Sequence, residues 1–177
     1  MLINLSELFS CQGKVKTYTQ SLEMEQFQGS NSLYEIAEKE PVALRITHTG
    51  NKKMMVEGTA KLTLLMPCDR CLEPVEVPFV LSIEEELDMS QSEEERVEAL
   101  DEQPYISGYF LDVDRLVQTE LVVNLPMKVL CREDCKGICS QCGRNLNHGD
   151  CSCDNQPKDP RMAAIQDIYK KFNMQST

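Results

Sequence analysis

The sequence predicts an α+β fold in which an antiparallel β-sheet, curled into a barrel-like form, carries two helices and a cysteine-rich knuckle. Three observations lead there. Apolar residues alternate with polar ones through three runs between Pro41 and Leu87, the period of strands with one buried face. Asp112 precedes apolar residues at helical spacing. Six cysteines crowd into Cys131–Cys153, where Gly137, Gly143 and Gly149 permit the backbone bends of a compact ligand cage.

Taken in chain order, Lys14–Leu22 is strand-like, with Val15, Thr17 and Thr19 alternating, and a polar connection follows around Gly29–Ser32. Val42, Leu44 and Ile46 alternate over Pro41–Thr49. A turn at Thr49-Gly50-Asn51 leads into Met55–Met66, with Val56, Thr63 and Leu65, so the two runs form a hairpin. Val75–Leu87 places Val75, Val77, Phe79, Leu81, Ile83 and Glu85 on one parity, so most of that face is apolar, a third antiparallel strand. Residues 88–103 hold too few apolar side chains to demand burial and predict an exposed acidic segment. Asp112 caps a helix through Leu125, with Val113, Leu116, Val117, Leu121 and Leu125 inward and Pro126 closing it. Asp159-Pro160 starts a last helix carrying Ile165, Ile168, Tyr169 and Phe172. The expected organisation is a β-rich domain over 1–125, with the knuckle and final helix of 126–177 packed on it.

Composition narrows the function. Apolar residues make up 41% of the 177 and aromatic residues 6%, with no Trp, so the core rests on Leu, Val, Ile and Met. No run approaches a membrane span and Met1–Ser10 lacks a signal peptide's pattern, which predicts a soluble, cytoplasmic protein. The net charge of −11 opposes sequence-blind attraction to phosphate backbones. It is uneven: Glu84–Glu102 carries −9, while Pro126–Thr177 carries +2.

Nine cysteines in a reducing compartment point to metal or redox chemistry rather than structural disulfides. Eight fall into two groups, Cys68-x2-Cys71 between strands and the Cys131, Cys135, Cys139, Cys142, Cys151, Cys153 series between helices. Eight thiolates make two four-sulfur sites. Zn²⁺ suits them because soft thiolates at about 2.3 Å satisfy a filled-shell ion with no geometric preference of its own. The preferred partition sets Cys139, Cys142, Cys151 and Cys153 around one ion and Cys68, Cys71, Cys131 and Cys135 around the other. An alternative groups Cys131, Cys135, Cys139 and Cys142, leaving Cys151 and Cys153 to the hairpin pair, and spacing does not choose between them. A redox dithiol is the rival reading of Cys68 and Cys71, but a thioredoxin-type pair opens a helix in a βαβ pattern, whereas this one tips an antiparallel hairpin. His148 is a substitute ligand of lower rank, and Cys11 reads as a small semi-buried thiol.

A closed four-sulfur cage has no open coordination position, so such zinc holds structure instead of activating a nucleophile. Two histidines, no Ser-His-Asp arrangement and no phosphate-cradling Gly-rich loop leave little from which to build an active site. No small-molecule substrate is expected.

The run from Leu125 through Cys131-Arg-Glu-Asp-Cys135-Lys-Gly-Ile-Cys139-Ser-Gln-Cys142-Gly-Arg-Asn-Leu-Asn147, followed by Cys151-Ser-Cys153 and Asp159-Pro-Arg161, resembles the YceD family, also called large ribosomal RNA subunit accumulation protein. Cys68-Asp-Arg-Cys71-Leu is similar to that family's other signature. The resemblance covers roughly Lys61–Phe172, and Met1–Pro41 adds little to it. It implies a bacterial or plastid factor of ribosome biogenesis, required for large-subunit ribosomal RNA to accumulate, with no enzymatic activity assigned. Some members lack much of the knuckle while keeping the hairpin motif, which implies separable metal sites.

Two non-enzymatic mechanisms follow. In the first, Arg70, Lys128, Arg132, Lys136, Arg144 and Arg161 gather around the metal sites to meet RNA phosphates of the pre-ribosomal large subunit, against the plainer reading of ordinary solvated charges. Arg70, between two ligands, either pairs with a phosphate or offsets the thiolate charge. In the second, Glu84–Glu102 steers a basic ribosomal protein before assembly, against the plainer reading of a solubilising loop. A metal-dependent enzyme is the third and least favoured class.

Overall fold

The computed structural model describes residues 1–29, 32–90 and 103–153. They fall into two compact units, the first made of Met1–Cys68 with Glu73–Cys131 and the second of Asp69–Leu72 with the chain from Arg132.

Strand β6 (Lys53–Pro67) organises the first unit. One edge pairs antiparallel with β7 (Pro74–Asp88) over its whole length, from Lys53 opposite Asp88 to Pro67 opposite Pro74. Its other edge is shared. β5 (Val42–Gly50) takes the first half and β4 (Leu33–Lys39) the last part, and β2 (Val15–Gln20) and β3 (Gln26–Gln28) extend those two strands outward. A smaller sheet joins β1 (Leu2–Asn4), β9 (Phe110–Asp112) and β8 (Ile106–Ser107).

Alternation places the core on one face. Met54, Val56, Ala60, Leu62, Leu64 and Met66 of β6 point inward beside Phe79, Leu81, Ile83 and Leu87 of β7. Helix α1 (Val113–Asn124) adds Val113, Leu116, Val117 and Leu121 to the same core. Each such side chain other than the small Ala60, once buried, contributes about 1.5–3 kcal/mol of transfer free energy. The expected helix is present: the Asp112 carboxylate accepts the N–H of Asp114 at 3.1 Å and of Arg115 at 3.4 Å, satisfying donors that the first turn leaves open. The strands read around Val15, Val42, Val56 and Val75 are present as β2, β5, β6 and β7. Thr63 and Leu65 lie on the face of β6 opposite Val56 and are only half-buried.

Two features of the expected α+β class are corrected. The sheet does not close into a barrel: among the described residues β2, β3 and β7 pair along one edge only. β7 is suited to an outer position because Pro74 and Pro78 lack ladder donors and Glu84 and Glu86 keep charge on its exposed face. One α-helix, rather than two, stands among nine strands in the described residues, so the architecture is predominantly antiparallel β. The anticipated final helix from Asp159 and most of the acidic segment 88–103 lie outside the described residues. Among those described, no helix is long and apolar enough to cross a membrane.

Two positions test this packing. A Cβ on Gly58 would collide with the Ala43 carbonyl oxygen and lie 2.7 Å from Leu44 Cδ2, because β5 and β6 press together there. Gly58→Ala is expected to lower stability by about 1–3 kcal/mol in urea unfolding. Asp114 ties α1 to the segment before β3, accepting N–H groups from Glu23 at 2.9 Å and Met24 at 3.3 Å. Burial pushes its carboxyl upward, but hydrogen bonds from the Met1 amine and from those two backbone groups outweigh this, leaving it below its ordinary 3.8. A depressed carboxyl stabilises the fold above its unfolded pKa and stops doing so as pH falls through the folded one. Asp114→Asn is therefore expected to cost about 1 kcal/mol at pH 7. In parallel denaturation series, the difference from the parent should shrink steadily below pH 3.8.

Candidate metal centres

The described residues of the second unit form turns, with a single bridge among them, between Ile138 and Asn145, in place of a ladder. Cys139-Ser-Gln-Cys142-Gly143 bends tightly enough for the Gly143 N–H to reach the Cys139 carbonyl at 2.9 Å, and Gly143 takes φ +73°, which a side chain would disfavour. The Cys139 N–H donates to the Arg144 carbonyl at 2.8 Å, closing the bend. The Asn145–Asp150 loop then returns the chain, held by the Arg144 guanidinium on the Asp150 carbonyl at 3.3 Å.

This path brings the Sγ atoms of Cys139, Cys142, Cys151 and Cys153 all within 4.8 Å of one another. Four sulfurs at about 2.3 Å from one ion stand about 3.8 Å apart, so the cluster needs only slight contraction to form a tetrahedral cage. The thiols are already polarised. Backbone N–H groups of Cys142 and Gln141 and the Cys151 thiol pull the buried Cys139 thiol down to about 6. Cys153 is driven up to about 12 by its hydrogen bond with Cys142, by burial and by the other sulfurs. Four thiols so close cannot all ionise without a cation among them, and a divalent metal ion that favours thiolates would supply that charge.

Of the other four clustered cysteines, Cys68 and Cys131 stand in the first unit and Cys71 and Cys135 in the second, and their grouping around one ion remains an expectation of the sequence. Cys68, Cys71 and Cys135 are buried and Cys131 is exposed. Cys68 and Cys131 are joined by a hydrogen bond from the Cys131 N–H to the Cys68 sulfur at 3.4 Å, and the Cys68 N–H donates to the Glu73 carbonyl at 2.8 Å. The Cys139, Cys142, Cys151 and Cys153 set does not include His148, and Cys11 is exposed.

Arg70 has a definite task. Its Nη1 donates to the carbonyls of Cys135 at 2.8 Å and Glu133 at 3.3 Å, while its own carbonyl accepts the Ile138 N–H at 3.0 Å. Gly137, at φ +77°, passes so near that a Cβ there would sit 3.0 Å from the Arg70 carbonyl. Arg132 bonds Asn147 Oδ1 at 2.9 Å and pairs with Asp134 at 3.4 Å, and Arg144 is spent on the Asp150 carbonyl. Lys128 and Lys136 are exposed. Arg161 lies outside the described residues.

Asn147 is a residue that motif reading passed over. Its Nδ2 donates to the Cys135 sulfur at 3.2 Å and its Oδ1 accepts the Lys136 N–H at 2.8 Å, so one amide orders a ligand and its flanking backbone. An Asn in a turn carries no periodicity to reveal this.

The family model described as large ribosomal RNA subunit accumulation protein YceD matches residues 56–169, which include all eight clustered cysteines. The chain belongs to the YceD family. Among curated relatives, an uncharacterised protein of Mycobacterium tuberculosis is 28% identical over 90 residues, covering 51% of this chain and 44% of its own. The chloroplastic YCED homolog 1 of Arabidopsis thaliana, named as a large ribosomal RNA subunit accumulation protein, is 24% identical over 68% of this chain and 46% of its own. The uncharacterised protein YlbN of Bacillus subtilis is 25% identical over 68% of this chain and 69% of its own. The chain thus spans under half the length of the first of these YceD relatives. No solved structure matches it.

Because metal must displace protons from the crowded thiols, affinity is expected to rise with pH. In competition with a chromophoric chelator, apparent zinc affinity should fall at least tenfold per unit as pH drops from 8 to 6, the Cys153 thiol near 12 being one that metal must deprotonate.

Proposed function

We infer that this protein is a non-enzymatic factor of ribosome biogenesis that supports accumulation of large-subunit ribosomal RNA, acts in the cytoplasm and is braced by two structural zinc ions. The observation that carries this reading is the family match over 56–169, a span that holds all eight cysteines of the two expected sets. Its chemistry agrees: four sulfurs close the coordination sphere, so the ions order turns and leave no position for substrate or water. Arg70, Arg132 and Arg144 spend donors on backbone or side-chain partners within the turns, which favours a bracing role for them. Lys128 and Lys136, exposed and with no ion pair among the described residues, are the cations best suited to phosphate.

The alternative, an acidic holder for a basic ribosomal protein, draws on Glu84–Glu102. Glu84, Glu86 and Asp88 of that segment end the edge strand β7, and residues 91–102 lie outside the described set.

In bacteria deprived of their own family member, the full chain is expected to restore the ratio of large- to small-subunit ribosomal RNA. Elemental measurement should give two zinc ions per chain, falling to one in the Cys68→Ser/Cys71→Ser and Cys139→Ser/Cys142→Ser pairs, both defective in restoration. Lys128→Glu/Lys136→Glu should keep both ions yet reduce the slope of log affinity for RNA against log salt by about 1.5 or more. Full restoration by a metal-free chain would overturn the bracing role, and binding to basic ribosomal proteins with none to RNA would favour the holder.

A further inference from the structure

Away from the sulfur clusters, the first unit holds a cleft of about 490 Å³ lined by Ser6, Phe9, His48, Asn51, Lys52 and Tyr109. Its walls come from three separate segments, each pinned by backbone hydrogen bonds. The Leu5 N–H donates to the Tyr109 carbonyl at 2.9 Å, which ties the 3₁₀ turn Ser6–Ser10 to the β8–β9 turn. The Gly13 N–H donates to the His48 carbonyl at 2.8 Å, and the Met89 N–H to the Lys52 carbonyl at 3.0 Å. The cleft is therefore held by the fold and not by loose side chains.

Three features of its lining have no structural account. Tyr109 is 55% exposed although its ring meets Phe9 edge to face, with centroids 5.5 Å apart and planes at 78°. His48 is only 7% exposed. Its Nδ1 must donate to the Cys11 carbonyl, 3.0 Å away, which leaves Nε2 of the neutral ring as an acceptor, buried and unpartnered among the described residues. Lys52 occupies a left-handed position, φ +59°, in the two-residue turn between β5 and β6, where glycine is the least strained choice. Its ammonium makes no ion pair among the described residues. An exposed ring, an acceptor awaiting a donor and an unpaired cation meet in one cleft.

We propose that this cleft takes one unstacked nucleotide of single-stranded RNA. The base stacks on Tyr109 and its exocyclic amino group donates to His48 Nε2, while Lys52 meets the adjoining phosphate. A purely apolar guest would use the rings but leave Nε2 unpaired. A free anion would use Lys52 and neither of the others. The inference rests on the ribosomal RNA reading above and gives it a contact outside the metal-bearing turns.

The test measures binding of a dye-labelled nine-nucleotide oligoadenylate to the zinc-loaded full chain by fluorescence anisotropy, with thermal melts confirming that each variant folds. Tyr109→Ala is expected to weaken binding about tenfold and Tyr109→Phe to stay within about twofold of the parent, since stacking needs the ring and not the hydroxyl. His48→Phe keeps a ring against Phe9 but removes the acceptor, and should weaken binding about fivefold. Lys52→Gly relieves the turn, so its melting temperature should rise while affinity falls about threefold. Parental affinity in both Tyr109→Ala and His48→Phe would overturn the cleft. So would a parent that restores large-subunit RNA in cells but binds no oligonucleotide. A parent that fails in both assays overturns the ribosomal RNA reading itself.

Discussion

The sheet depends on the unbroken ladder between β6 and β7. Fifteen facing residue pairs fix which side chains point inward, and a one-residue slip would turn Met54, Val56, Leu62 and Leu64 to solvent. That constraint also sets where the ladder stops. Pro67 faces Pro74, and the chain between them carries Cys68 and Cys71. The register that buries the apolar face thus determines where the Cys-x2-Cys turn stands.

The knuckle has little apolar surface and no extended ladder, so the usual sources of stability are thin there. Its backbone is ordered by short polar links: Gly143 to Cys139, Leu146 to Gly137 and Asn147 to Asn145. Turns of this kind are marginal alone because each ordered residue loses conformational entropy. Zinc coordination by four thiolates is large enough to offset that loss. The opposed shifts of Cys139 and Cys153, from neighbouring groups in one cluster, express the same strain: without a cation, thiolate charge is concentrated on one sulfur while another holds its proton.

What the sequence disclosed follows from length and period. β5, β6, β7 and α1 are long enough for alternation or helical spacing to show, and Asp112 announces its helix by chemistry. β1, β3, β8 and β9 span only two or three residues, too short for any period, and their places are set by partners distant in sequence. β4 was hidden differently: in Leu33–Lys39 only Tyr34 and Ile36 are half-buried against the core, and the exposed Leu33 and Ala37 break the apolar-polar alternation that would have announced a strand. Closure into a barrel was a wrong extrapolation, since alternation reports a buried face and is silent on whether the outer strands meet. The Cys139–Cys142 turn was legible from its spacing, because two intervening residues let one tight bend bring both sulfurs together, whereas the partition of the eight cysteines was not. Asn147 and the bonds of Arg70 were not, since they arise only when the turns are folded.

Arg70 shows how a charge between two clustered cysteines need not point to nucleic acid. A guanidinium nitrogen donating to the carbonyls of Glu133 and Cys135 satisfies backbone acceptors beside a buried cysteine, and this use competes with phosphate for the same nitrogen. Lysines without such bonds face no competition, and an ammonium on a flexible stem adapts to a phosphate backbone whose position is not fixed in advance. On the proposed reading, contact with RNA is therefore better sought at uncommitted groups, Lys128, Lys136 and the Lys52 cleft, than among the arginines that secure the turns.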